Sequence, residues 1–176
     1  PELFGVLSAF DTLFREYGLP RAIRSDNGSP FANSASLLGL TRLAVWWMRL
    51  GIRLERIEPG HPEQNGRLER LHLTLKQETT QPANQNQLQQ QERFDRFRNE
   101  YNTLRPHEAL EMNCPGNLYQ KSPVQYPEIL EPLQYPLHDE VRMVCQSGMV
   151  NFNRKEGFFL SRALSVLSPH ISILSL

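Results

Sequence analysis

The chain has 176 residues, enough for one ordinary domain or one domain plus a small appendage, and 39% of them are hydrophobic, which excludes a disordered chain. The 19 Lys and Arg balance the 19 Asp and Glu, so the net charge does not indicate a nucleic-acid partner. No apolar run approaches the roughly 18 residues that a membrane helix needs. Cys114 and Cys145 fit neither a disulfide framework nor a zinc site, and predict reduced thiols in a cytosolic protein.

Helical and alternating apolar patterns divide the first 60 residues. Apolar residues recur every three or four positions up to Tyr17, and Gly18 then marks a helix end. Asp26 to Gly28 is a turn, because Asn and Gly tolerate positive φ. The predicted elements are a helix over 2–17, a strand over 22–25, a helix over 41–50 and a strand over 52–57.

Beyond residue 60 the pattern becomes helical, then Pro-rich, then strand-like. Leu68, Leu71 and Leu75 predict the buried stripe of one helix. The predicted elements are a helix over 64–78, a helix over 88–103, an extended Pro-rich segment over 112–138 and a small β-meander over 140–166.

Two acidic residues stand at places where a fold can fix them. Asp26 closes a short strand, and Glu69 lies near the start of the helix that follows a polar, glycine-containing loop. Carboxylates presented in this way can hold hard divalent cations for phosphoryl transfer. Arg70, His72 and Lys76 follow Glu69 closely and could meet DNA phosphates.

Each of these features also has an ordinary structural interpretation. Asp-Asn-Gly alone is more often just a turn, and Glu69 with Arg70 is more often a solvated helix face. Trp46 and Trp47 fit a core better than a base-stacking surface, and His61 fits a loop better than a phosphate contact. Between Arg15 and Glu78, ten Lys or Arg face seven Asp or Glu, a basic excess that an ordinary surface explains equally well.

The combination of motifs resembles a known family. The motifs are Tyr17-Gly18-Leu19-Pro20, Ile23-Arg24-Ser25-Asp26-Asn27-Gly28 with Phe31, Gly51-Ile52, Pro62-Glu63-Gln64-Asn65-Gly66-Arg67-Leu68-Glu69-Arg70, Leu75-Lys76 with Glu78, and Tyr101-Asn102 with Arg105-Pro106-His107. In this order they resemble the integrase catalytic core of bacterial insertion-sequence transposases, which are related to retroviral integrases. The resemblance covers most of residues 3–126.

The resemblance implies a ribonuclease-H-like α/β fold with an Asp-Asp-Glu triad that binds two Mg²⁺ or Mn²⁺ ions. Asp26 matches the second Asp, and Glu69 matches the Glu, so both are expected to be catalytic metal ligands. Lys76 matches a lysine expected to contact the end of the element, and we expect Asn65, Arg70 and His72 to contact DNA as well.

The activity that the resemblance implies is cleavage of DNA and joining of the new end to target DNA. The expected partners are element-end and target DNA and further copies of the chain, with no membrane partner. No residue is expected to bind an organic cofactor, and the expected compartment is the bacterial cytoplasm.

The family's first Asp has no counterpart here. Asp11 is the only Asp before Asp26, and it lies on the polar face of the first helix. We therefore expect a partial, N-terminally truncated core that is inactive alone. The expected division is a partial core over 1–110, a Pro-rich linker over 111–137, a small β-rich C-terminal domain over 138–167 and an atypical tail over 168–176.

Two other interpretations stay open at this point. The chain could be a non-catalytic remnant that binds DNA or dimerises. It could also be an unrelated α/β domain whose acidic residues are ordinary surface groups. Salt-dependent DNA binding without metal-dependent cleavage would favour the first, and neutral substitutions at Asp26 and Glu69 would favour the second.

Overall fold

The protein is described by a computed structural model that covers residues 3–33, 39–58, 60–132, 134, 140–153, 156–167 and 170–173. The chain divides into two compact units, which we describe separately. The first consists of Pro1–Pro59 and Ser122–Leu176, and the second of Gly60–Lys121. None of the helices in the described ranges is long and apolar enough to cross a membrane.

A β-α-β arrangement organises the first unit. Helix α1 (Leu3–Tyr17) is followed by β1 (Ala22–Ser25), α2 (Arg42–Arg49) and β2 (Arg53–Arg56). The two strands are parallel and in register from the pair Ala22–Arg53 to the pair Ser25–Arg56. All four elements were predicted, with bounds that differ by one residue at most, because apolar residues recur in them at the regular spacing of a helix or a strand.

The core of this unit lies where α1 and α2 pack together. Thr41 starts α2 by accepting a hydrogen bond from Ala44 N on its side-chain oxygen, at 3.1 Å. Trp47 is 1% exposed and Trp46 is 9% exposed, so the prediction that both tryptophans belong to the core is confirmed. The other core residues are Phe14, Leu19, Leu43, Leu50 and Ile52.

The Pro-rich segment returns to this core. Ser122 N donates to Tyr17 O, and Leu19 N donates to Val124 O at 2.8 Å. Tyr126 and Leu130 pack against the core cluster. Pro115–Leu118 form a short helix within the segment that was predicted to be extended, and from Ser122 onward the segment is part of a packed unit. The predicted division into domains stays a prediction.

The C-terminal strands pair in a different order from the predicted meander. The elements are β3 (Glu140–Met143), β4 (Met149–Asn153), β5 (Glu156–Phe159), α6 (Arg162–Leu167) and β6 (His170–Ile173). Strand β4 pairs with β5, whereas β3 pairs with β6, both antiparallel. The predicted meander was wrong because β3 pairs with β6, which lies beyond the predicted range, and not with the next strand β4. Helix α6 separates β5 from β6, and Ser161 accepts a hydrogen bond from Ala163 N at 3.1 Å at its start. Of the tail from 168, only β6 is described.

Helices form the second unit. A 3-10 turn (Pro62–Asn65) leads into α3 (Gly66–Thr79), which packs against α4 (Gln87–Thr103), and the short α5 (Pro115–Leu118) follows. Both long helices were predicted. The predicted buried stripe is only partly correct, because Leu71 and Leu75 are half-buried while Leu68 is 43% exposed. The fully buried residue of α3 is Thr79, which the sequence pattern does not single out.

Candidate active site and nucleic-acid interface

Asp26 lies directly after the carboxyl end of β1, in an Asx turn. Its Oδ1 accepts a hydrogen bond from Gly28 N at 3.0 Å, and the side chain is exposed. Oδ2 has no hydrogen-bond partner among the described residues. The turn therefore fixes one carboxylate oxygen and leaves the other available to a ligand.

A second hydrogen bond anchors this turn to the neighbouring strand. Asn27 Nδ2 donates to Ile57 O at 2.9 Å, just beyond the end of β2. A side chain at position 28 would place its Cβ 3.3 Å from Asp26 Oδ1, closer than most such contacts, so glycine leaves room for the carboxylate. Asp26 is thus held at the carboxyl edge of two parallel strands, where α/β sheets commonly bind ligands.

Glu69 lies in the first turn of α3, and its side chain is exposed. The Glu69 carboxylate makes no ion pair or hydrogen bond with another described residue. A carboxylate in this position also stabilises a helix through the dipole, so its placement fits an ordinary structural role as well. The exposed oxygen atoms are the donor type that Mg²⁺ and Mn²⁺ prefer.

The predicted DNA-binding residues lie on or just before the same helix. Arg70, His72 and Lys76 are exposed, and no carboxylate of the described chain pairs with them. Asn65 ends the 3-10 turn, is half-buried, and does not cap α3 with its side chain. Helical spacing places His72 and Lys76 beside Glu69 on one outward surface.

One exposed cation of this helix was not among the predicted DNA-binding residues. Arg67 lies three residues before Arg70, so the two guanidinium groups belong to one edge of α3. Neither pairs with a carboxylate in the described part of the chain. The spacing itself was the signal that could have identified Arg67.

The motif residues after α4 serve packing within the second unit. Arg105 Nη1 and Nη2 donate to the two oxygens of Glu78, at 2.9 and 2.8 Å, and join the end of α4 to α3. These hydrogen bonds hold the pKa of the Glu78 carboxyl below its ordinary value. The Arg105 guanidinium also lies over the rings of Phe97 and Tyr101, and Tyr101 contacts His107 edge to face.

Asp11, the other Asp near the start of the chain, is engaged elsewhere. Asp11 accepts hydrogen bonds from Arg15 Nε and from the Tyr126 hydroxyl, both at 2.9 Å. The hydrogen bond from Arg15 is the main cause that lowers the pKa of Asp11. Asp11 therefore serves the contact between α1 and the Pro-rich segment.

The two predicted metal ligands belong to different units. Asp26 lies in the first unit and Glu69 in the second. Within the described ranges, no group of three or more His, Cys, Asp or Glu side chains is arranged to hold a metal ion. The pairing of Asp26 with Glu69 therefore stays a prediction.

Residues 50–115 match the family model described as an integrase core domain. The matched range is less than half of the chain, and it contains Glu69 and all four predicted DNA-binding residues, while Asp26 precedes it. The match supports an integrase or transposase core in this part of the chain, and with it an interaction with DNA. The mixed α/β structure with small sheets fits such a domain.

Proposed function

We propose that the chain is part of a transposase or integrase of the Asp-Asp-Glu type, which cleaves DNA and joins its ends to target DNA with the help of divalent metal ions. The observation that carries this proposal is Glu69, an exposed and unpaired carboxylate inside the integrase-core match and beside exposed cations. The resemblance of the motifs to bacterial insertion-sequence transposases favours that branch and a bacterial cytoplasmic setting.

Asp26 and Glu69 are the residues we assign to the metal ions. Both offer carboxylate oxygens to solvent, which suits Mg²⁺ or Mn²⁺. When bound, two such ions activate the attacking oxygen and stabilise the leaving oxygen of a phosphodiester. The complete site takes a third carboxylate in addition to these two, so we expect the chain alone to be inactive in strand transfer.

The outward surface of α3 supplies the DNA contacts in this proposal. Lys76, Arg70 and Arg67 carry positive charges that no described carboxylate neutralises. DNA phosphates can therefore pair with these three cations. Asn65, just before α3, and His72, within it, add hydrogen-bonding groups. Contacts of this kind hold a DNA end in register, and further copies of the chain are the expected partners in binding two ends.

Iron-mediated cleavage of the backbone tests the metal assignment without requiring enzyme activity. Fe²⁺ replaces Mg²⁺ at oxygen-rich sites and, with ascorbate and peroxide, cuts the chain next to its ligands. We expect cuts beside Asp26 and Glu69 that excess Mg²⁺ suppresses. We further expect Glu69→Gln to abolish both cuts, and the matched variant Glu92→Gln to retain them.

Other outcomes would contradict this assignment. Cuts beside Asp26 that survive in Glu69→Gln would show that the two carboxylates do not share an ion. The absence of cuts that Mg²⁺ suppresses, together with salt-dependent DNA binding, would instead support a non-catalytic DNA-binding module.

A further inference from the structure

A groove of about 690 Å³ lies in the first unit. It is formed by the loop that follows Asp26, the start of α2 and the start of α6, and its lining includes Ser29, Thr41 and Ser161. Two arginines, Arg42 and Arg162, line it as well, and none of the described residues that line it is acidic. The described lining therefore carries a net positive charge.

A buried contact holds the two sides of this groove together. Ser161 is 2% exposed, and its hydroxyl donates to Leu40 O at 3.1 Å while accepting from Ala163 N. Because the hydroxyl both donates and accepts, the start of α6 is fixed beside the start of α2. Arg42 and Arg162, which are 120 positions apart, thereby face one groove.

The position of Arg42 is electrostatically unfavourable in the protein alone. It is the first residue of α2, where the helix dipole favours a negative charge and disfavours a cation. The first turn of α2 contains no acidic residue, and neither Arg42 nor Arg162 pairs with a carboxylate in the described ranges. Residues that break a local rule without an internal compensation often serve a ligand.

We propose that this groove binds the phosphodiester backbone of DNA, with Arg42 and Arg162 as the contacting residues. A phosphate group would supply the negative charge that both arginines and the start of α2 lack. This inference rests on the proposed function for its choice of DNA. It adds a second DNA-binding surface, to which the C-terminal segment contributes directly.

The salt dependence of DNA binding tests the groove. The full chain and a double variant, Arg42→Gln with Arg162→Gln, are titrated against a fluorescein-labelled duplex between about 50 and 200 mM salt. The slope of log affinity against log salt is negative, and each lost phosphate contact makes it less steep by about 0.9. We therefore expect the steepness to fall by about 2 in the double Gln variant. The double variant Arg42→Lys with Arg162→Lys keeps both charges and should keep the slope.

Arg21→Gln is the matched control, because Arg21 is an exposed arginine of the same unit that does not line the groove. Its slope should equal that of the unaltered chain. An unchanged slope in the double Gln variant, an equal decrease in Arg21→Gln, or no DNA binding by the unaltered chain would overturn the inference. Circular dichroism of each variant checks that the fold is retained.

The two proposals fail in different ways. Backbone cuts that Mg²⁺ suppresses, combined with an unchanged slope in the double Gln variant, would reject the groove and keep the metal assignment. A lowered slope without such cuts would keep the groove as a DNA-binding surface and reject the metal assignment.

Discussion

The ion pair between Glu78 and Arg105 shows what a single motif residue does in this structure. The guanidinium donates to both carboxylate oxygens and also lies over two aromatic rings. Its planar fork suits this arrangement, whereas a lysine would make a single point contact. The sequence places both residues within motifs but does not reveal that they contact each other.

We expect Glu78→Gln to lower the free energy of unfolding at pH 7 by at most about 1 kcal/mol, because the pair is partly exposed to solvent. The pKa of Glu78 is lowered in the folded state, so its contribution is present above the ordinary pKa of about 4.3. It is lost as the pH falls through the lowered pKa. Urea unfolding at neutral and acid pH measures this difference.

The difference in the free energy of unfolding between Glu78→Gln and the unaltered protein should therefore disappear in acid. Glu92→Gln, which removes an exposed acid of α4, should match the unaltered protein at neutral pH. A difference between Glu78→Gln and the unaltered chain that persists in acid would contradict the assigned ion pair.

The end of α1 depends on a glycine for two separate reasons. Gly18 has φ of 77°, a left-handed conformation that side chains disfavour. A Cβ at this position would also lie 2.7 Å from Val124 O and 2.9 Å from Ser122 O. The sequence predicts the helix end, but the close approach of the Pro-rich segment appears only in the fold.

We expect Gly18→Ala to lower the free energy of unfolding by more than about 2 kcal/mol, because the conformational cost and the clash with two carbonyl oxygens add. Gly5→Ala is the matched control, since nothing lies within 4 Å of its Cβ position in α1. The free energy of unfolding of Gly5→Ala should rise by up to about 1 kcal/mol, because alanine has a higher helix propensity than glycine. Equal urea midpoints for the two variants would contradict the described packing of residues 122–124 on the helix end.

In the first unit as a whole, residues far apart in the sequence complete one core. The Tyr126 ring contacts the rings of Phe14 and Trp46, and its hydroxyl donates to Asp11. The Arg15 guanidinium lies 5.3 Å from the centre of the same ring. These contacts make the Pro-rich segment part of the core that supports β1 and the Asp26 turn.

We expect Tyr126→Ala to lower the free energy of unfolding by roughly 2 kcal/mol, because a half-buried aromatic ring is removed from its contacts. Tyr126→Phe should cost less, since only the hydrogen bond to Asp11 is lost. Ile129 is 80% exposed in the same segment, so the free energy of unfolding of Ile129→Ala should lie within about 0.5 kcal/mol of that of the unaltered protein. A Tyr126→Ala protein with an unaltered urea midpoint would show that this segment does not stabilise the core.

The sequence by itself determined the local elements and the residue types of the candidate site. The regular recurrence of apolar residues predicted the four elements up to β2 and the two long helices. It could do so because the spacing of apolar residues and the residues that favour turns are local properties of the sequence. The turn at Asp26 and the exposed position of Glu69 were also predictable. The match over residues 50–115 agrees with the integrase-type interpretation of the motifs.

Only the tertiary structure decided which distant residues meet. Strand β3 pairs with β6, Tyr126 contacts Asp11, and Arg42 faces the same groove as Arg162. Local patterns cannot specify such contacts, because they depend on which buried surfaces fit one another across long separations in the chain. The exposure of Leu68 has the same cause, since a helical stripe is buried only where a partner surface covers it.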